Sequence, residues 1–451
     1  MVLERLASGP EIRLVLPALG AMRPVLDEVD LGRVALSKRL EPTEEDPIWW
    51  DPEQQGASLA EADLRGASLR QANLAGANLR RARLEGAHLG RAVLTESCLE
   101  NANLEGADLV GADLRATQLS EGNLRNALLE EADLENAVLR FADLRDAVLE
   151  GANLRGADLW GARLQGAILL GADLRGARLI EAELEGADLT DAKLDAAVLS
   201  RADFRSANLT RASLVNANLR GACLDHAILQ GAQLSGLDLT DTGIARVHLA
   251  DARLESVYLH QDQLAGATGE ELAGDYRLAR RAYLGLEHLF ADRGDHDAAS
   301  WAYAKKRRME KLAARDEASR AWRQRQRRTA INRCARYAEE QLVEWVCDYG
   351  RSTWRVFGSL VLVFGLFAVI YGLTDSVIRI EETSNGPVGV STRDLSDVTT
   401  FSLLAMIPIG NSATTLLPNS GWAQFLVSFQ AMVTIFLVGL LGFVAGNRIY
   451  H

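Results

Sequence analysis

From Leu59 to Leu264 the chain places an apolar residue at every fifth position, 42 positions without a slip in phase, and only Phe204 and Ile244 replace leucine. Two residues earlier sits alanine in most units, as in Ala107-Asp108-Leu109-Val110-Gly111, replaced by Ser97, Thr117, Gly122 and a few others. An α-helix advances five residues by roughly 140° beyond a full turn, which would scatter the leucines over all faces. A straight strand would send successive leucines to opposite faces. The pattern instead predicts short extended pieces with a bend every five residues, Leu and Ala always inward. A unit that cannot bury its own apolar face must stack on copies of itself, so the chain builds a solenoid.

These pentads resemble the pentapeptide-repeat family. The resemblance implies a right-handed quadrilateral β-helix with four pentads per coil. Forty-two units then make about ten coils, a rod on the order of 50 Å long at the spacing of stacked strands. The outward positions of residues 57–264 carry 31 Asp/Glu against 21 Lys/Arg. Some acidic family members resemble duplex DNA and bind topoisomerases; a solvated scaffold with mixed charges is the plainer reading. Asp63, Asn73, Asn78 and Asp108, each just before a leucine, are expected to hydrogen-bond the backbone locally rather than to hold a metal.

Over the whole chain, 451 residues with a net charge of −12 argue against a general nucleic-acid binder. Cys98, Cys223, Cys334 and Cys347 lie far apart, which excludes a disulfide framework or a zinc site from spacing and suits a reducing compartment. No phosphate loop, HExxH or GxSxG motif occurs, so neither catalysis nor a cofactor is expected. The start of the chain lacks the pattern of a signal peptide. Residues 1–50 read as a cap for the first coil and 51–267 as the β-helix.

Residues 268–350 read as an α-helical connector. Tyr276, Ala279, Tyr283, Leu286 and Phe290 recur at helical spacing, and a second helix carries Ala298, Trp301, Ala302, Met309 and Leu312. Between them Gly294 suits a helix C′ position and Asp295 the next N-cap. The pair resembles the hairpins of tetratricopeptide modules and would close the rod. Lys305 to Arg336 holds 13 Lys/Arg against Glu310, Asp316 and Glu317. Its place shortly before an apolar span predicts a cytoplasmic segment facing membrane lipids. Leu342, Val343, Trp345, Val346 and Tyr349 then suit an interfacial helix.

Residues 351–451 contain two apolar runs, about 354–373 and about 423–446, each long enough to cross a bilayer. Lys/Arg before the first and Arg448 after the second predict a multi-pass protein of the inner (plasma) membrane with both termini in the cytoplasm. Gly358, Gly365 and Gly372 are expected to line one face for close helix contact. Gln430, costly in lipid, should face a partner or a pore. Between the runs, a pore helix and filter at about 394–413 is too short to cross and reads as re-entrant, ending in Ile407-Pro408-Ile409-Gly410-Asn411-Ser412.

Span, half-helix, irregular loop and span resemble the two-transmembrane potassium-channel-like pore domain, and the join to pentapeptide repeats resembles a combination found in bacterial channel-like proteins. FSLLAMIPIG lines up with the FSxxTxTTVG stretch of that family. The resemblance implies a homotetramer, a selectivity filter at Ile407–Ser412 and a gating hinge at Gly439. Where the family has threonine, valine, glycine, tyrosine, glycine, this chain has Pro408, Ile409, Gly410, Asn411 and Ser412, so potassium selectivity does not carry over. The expected function is a tetrameric, cation-permeable channel of weak selectivity with a cytoplasmic β-helix as scaffold or sensor. The alternative is a membrane-tethered acidic β-helix that binds a cytoplasmic protein partner without conducting ions.

Overall fold

The computed structural model describes residues 59–350, 352–383, 386–406 and 416–449. The expected cap at 1–50 lies outside them. The chain divides after Ala302 into two compact units.

In the first unit each pentad forms one side of a coil. Parallel bridges join residues twenty apart, from Asp63–Arg83 to Asp238–Tyr258, so four pentads make one turn of a β-helix. Leu64 N donates to Arg83 O at 2.8 Å, and Arg83 N donates to Ala62 O at 2.9 Å. The bend follows at once: Ala67 N donates to Leu64 O at 3.0 Å with Gly66 at φ +59°. That is a four-residue turn with its third residue left-handed, the requirement of a type II turn. Every fifth position from Gly66 to Ser256 has positive φ, Asp241 excepted. At Asp241 the ladder shifts, and Gly221 N donates to Asp241 O. Leucines and alanines fill the interior; Leu64 to Leu89 are fully buried. Where the small position is polar its hydroxyl is satisfied: Ser97 and Thr117 both donate to Leu94 O, at 2.7 and 2.8 Å.

The last coil would leave backbone groups open, and side chains close it. After a 3-10 turn at Gln261–Leu264 come helices α1 (Gly269–Leu272) and α2 (Tyr276–Asp292). Gln263 Nε2 donates to the carbonyls of Leu239 (2.6 Å) and Thr242 (2.9 Å), and Arg293 Nη1 to that of Leu259 (3.2 Å). Buried Glu270 accepts from Ala250 N at 2.6 Å. Gly294 has φ +73° and Asp295 accepts from Ala298 N, the helix end and N-cap expected from the sequence. Tyr283 of α2 meets Trp301 of α3 (His296–Arg323) edge-on at 5.5 Å between ring centres.

In the second unit the later part of α3 and α4 (Arg327–Cys347) form an antiparallel hairpin. Then follow α5 (Thr353–Leu373), strands β1 (Val377–Thr383) and β2 (Gly386–Ser391), α6 (Leu395–Ala405), β3 (Leu416–Pro418) and α7 (Gly421–Ile449). The strands form an antiparallel sheet in the order β2-β1-β3, with Ile380 opposite Gly389 and Val377 opposite Pro418. α5 and α7 are long and apolar enough to cross a membrane, and α6 is a shorter apolar helix. Phe367, Tyr371, Val398, Phe401 and Leu426 pack α5, α6 and α7 together. At the other end Cys347, Val356 and Val444 join α4, α5 and α7.

Candidate functional site

Gln430, an amide inside the apolar helix α7, is fully buried. In hydrocarbon surroundings every donor and acceptor must find a partner. Its Oε1 accepts from the Tyr371 hydroxyl of α5 at 2.8 Å. Its Nε2 donates to Ser402 O at 3.1 Å and Ser402 Oγ at 3.0 Å, both on α6. Ser402 Oγ in turn donates to Phe364 O of α5 at 3.0 Å. Three helices thus share one satisfied polar node in an otherwise apolar core. The expectation that Gln430 faces a partner or a pore resolves to partners within the chain. Tyr371 and Ser402 were not anticipated from sequence, although each is a polar tip inside an apolar stretch.

The start of α6 is fixed from outside the apolar core. Asp394 caps it, accepting from Ser396 N at 3.0 Å. Buried Asp397 pairs with Arg379 of β1 and accepts from Thr392 Oγ1 at 2.8 Å. Arg393 pairs with Asp375 and holds that carboxyl below its ordinary range. Asn419 Nδ2 donates to Asp375 O at 2.9 Å, tying the approach to α7 to the end of α5.

The expected filter residues Ile407, Pro408, Ile409, Gly410, Asn411 and Ser412 lie outside the described residues. Gly439, the hinge candidate, sits on α7 with open space where a Cβ would stand. The expected glycine face of α5 is not packed inside this chain. A Cβ at Gly358 or Gly365 would meet nothing within 4 Å, and only Gly372 has a neighbour, Val398 at 3.8 Å. Ser402 of α6 reaches Phe364 O, next to Gly365, yet no neighbouring atom stands where a Cβ of Gly365 would be.

The basic stretch Lys305–Arg336 is divided by the hairpin. Arg307 pairs with Glu340 at 2.7 Å, Arg308 with Glu344 at 2.9 Å and Arg333 with Glu317 at 2.8 Å; Lys311 also meets Glu344. These cations hold α3 to α4. Ile331, Leu342 and Trp345 form an exposed apolar stripe along α4, while Val343 and Val346 pack inward and Tyr349 is buried.

On the rod, the Asp and Asn residues before leucine accept from the backbone two residues on, as Asn73 does from Ala75 N at 3.1 Å and Asp108 from Val110 N at 3.2 Å. Arginines then grip several of the aspartates: Arg65 Nε and Nη2 reach Asp63 at 2.8 and 2.6 Å and hold its carboxyl down to about 2. Asp113, Asp143, Asp173 and Asp203 are held low by Arg115, Arg145, Arg175 and Arg205 in the same way. Among the described residues, no group of three or more His, Cys, Asp or Glu is placed to hold a metal ion. The model of the family "Pentapeptide repeats" matches repeatedly between residues 55 and 255. The chain belongs to the pentapeptide-repeat family.

Among solved pentapeptide-repeat structures, HetL of the cyanobacterium Nostoc sp. strain PCC 7120, described as involved in heterocyst differentiation regulation, is 30% identical. That match covers 55% of this chain and 94% of HetL, with a TM-score of 0.34. A second Nostoc pentapeptide repeat protein is 41% identical over 19% of this chain and 69% of its own, at a TM-score of 0.18. QnrB1, a plasmid-mediated fluoroquinolone resistance protein, is 21% identical over 41% of this chain and 93% of its own, at 0.22. No curated protein sequence matches the chain.

Proposed function

We propose that this pentapeptide-repeat protein is a cation-permeable channel of four copies, set in the inner membrane by α5 and α7, with its β-helix in the cytoplasm. The observation that carries the reading is α6. Eleven residues are too few to cross a bilayer, yet the Gln430 node ties this helix between two helices of spanning length. Backbone that stops partway through hydrocarbon is tolerated where it borders protein or a watery cavity. The C-terminal end of α6 offers partial negative charge to that cavity. Between Asp375 and Gly421 five acids face two arginines, and the surplus favours cations at the mouth. One copy of such a unit encloses no pathway, so several pack around an axis, and the resemblance to potassium-channel-like pores implies four. The exposed stripe of α4 and the unpaired arginines near it suit the lipid surface on the cytoplasmic side.

A second reading draws on the rod. Phe141 and Trp160 stand side by side on its outside, ring centres 5.6 Å apart and 54% and 37% exposed. Exposed aromatics of this kind anchor protein partners, as a membrane-tethered scaffold without conduction requires. Ion flux separates the two. Liposomes loaded with potassium and carrying the full chain should release it when a counter-cation is supplied outside; tight liposomes with the chain inserted would favour the scaffold.

A further inference from the structure

The α3/α4 hairpin carries a cleft of about 410 Å3 lined by Arg315, Ser319, Trp322 and Arg323 of α3 and Cys334 and Tyr337 of α4. That volume lies within the range of small-molecule sites, about 300–1,000 Å3. Its two arginines differ from the cations that clamp the hairpin. Arg307, Arg308, Lys311 and Arg333 are tied to carboxylates, whereas among the described residues Arg315 and Arg323 carry no ion pair, and no acid lines the cleft. Two free guanidinium forks match the oxygens of a phosphate. Trp322, 66% exposed, offers a flat face on which a base can stack. The hydroxyl protons of Ser319 and Tyr337 go to Arg315 O (3.0 Å) and Gln341 Oε1 (3.3 Å), which leaves both oxygens as acceptors for sugar hydroxyls.

We propose that this cleft binds a nucleotide. The phosphates sit on Arg315 and Arg323 and the base stacks on Trp322. A lipid headgroup shares the phosphate chemistry, but none of the cleft residues belongs to the apolar stripe of Ile331, Leu342 and Trp345 that suits a membrane surface. Inorganic phosphate would make no use of the indole. The inference stands apart from the channel reading, since it concerns the hairpin alone.

The test is calorimetric titration of the full chain, held in phosphatidylcholine nanodiscs, with ATP and with GTP. Saturable binding is expected, weakened about tenfold by Trp322→Ala, which removes the stacking face, and about tenfold by Arg315→Gln, which removes a charged hydrogen bond. Trp322 is too exposed for its truncation to disturb the hairpin core, and Arg315→Gln provides an independent second variant. Inorganic phosphate is expected not to displace the nucleotide. Three results would overturn the proposal: no saturable nucleotide binding; displacement by inorganic phosphate at equal concentration, which marks a bare anion site; or Trp322-dependent binding of phosphatidylglycerol with none of nucleotide, which marks a headgroup site.

Discussion

Tyr371 of α5 donates its hydroxyl to Gln430 of α7 at 2.8 Å, and the same amide holds Ser402 of α6. The Gln430 amide thus helps to position α6, together with the Ser402–Phe364 hydrogen bond and the Asp397–Arg379 pair. Gln430→Leu keeps the volume and leaves the Tyr371 hydroxyl and the Ser402 groups without that partner. We expect a loss of about 1–3 kcal/mol, with Tyr371→Phe costing about half as much. Thermal unfolding of the purified chain measures both.

The corners of the rod invite a substitution in the stabilising direction. Ala116 sits at φ +55° on the outside of a turn, where L-residues are strained by about 1–2 kcal/mol. Ala116→Gly relieves that strain and gives back part of it through the freer unfolded chain. The expected net gain is about 0.5–1 kcal/mol, read as a higher denaturation midpoint.

Gly269 opens α1 against the last coil, its N–H donating to Val247 O at 2.8 Å. A Cβ there would stand 2.6 Å from Arg246 O and against the ring of His248. Backbone cannot yield as a flexible side chain does, so Gly269→Ala should unseat the cap at a cost of about 1–3 kcal/mol. Limited proteolysis should then cut first within residues 259–275.

The arginine clips on the rod carry a pH signature. Asp63 has its carboxyl lowered from 3.8 to about 2 by Arg65, and the four other clipped aspartates are lowered in the same sense. A carboxyl depressed in the folded state stabilises fully above its unfolded value and loses that contribution as pH falls through its folded value. Melting temperatures should thus be insensitive to these groups above about pH 4 and fall between about pH 4 and pH 2. Because the Asp63–Arg65 pair is half exposed, the drop should shrink at high salt.

The rod was legible because its signal is repeated 42 times and each copy places the same leucine inward. The α2–α3 turn was legible for a local reason: Gly294 and Asp295 act within a few residues of themselves. That a short helix too short to cross lies between the two apolar runs was readable as well. The strands β1–β3 were not. Val377 to Ser391 shows no clean alternation, and β1 takes its other neighbour from Leu416–Pro418, a stretch distant in the chain. The partners of Gln430 were hidden likewise, since Tyr371 lies 59 positions away. The basic stretch looked uniform in sequence; its cations are clamped by Glu340 and Glu344, beyond its end, and by Glu317 within it, none of which the local sequence pairs with a particular arginine.

The most direct test of the channel is the reversal potential of the full chain in a planar bilayer under a salt gradient. Discrete currents are expected that reverse near the cation equilibrium potential and are lost or sharply reduced in Gln430→Leu. Reversal at the anion equilibrium potential, or an insulating bilayer with the chain inserted, would contradict it.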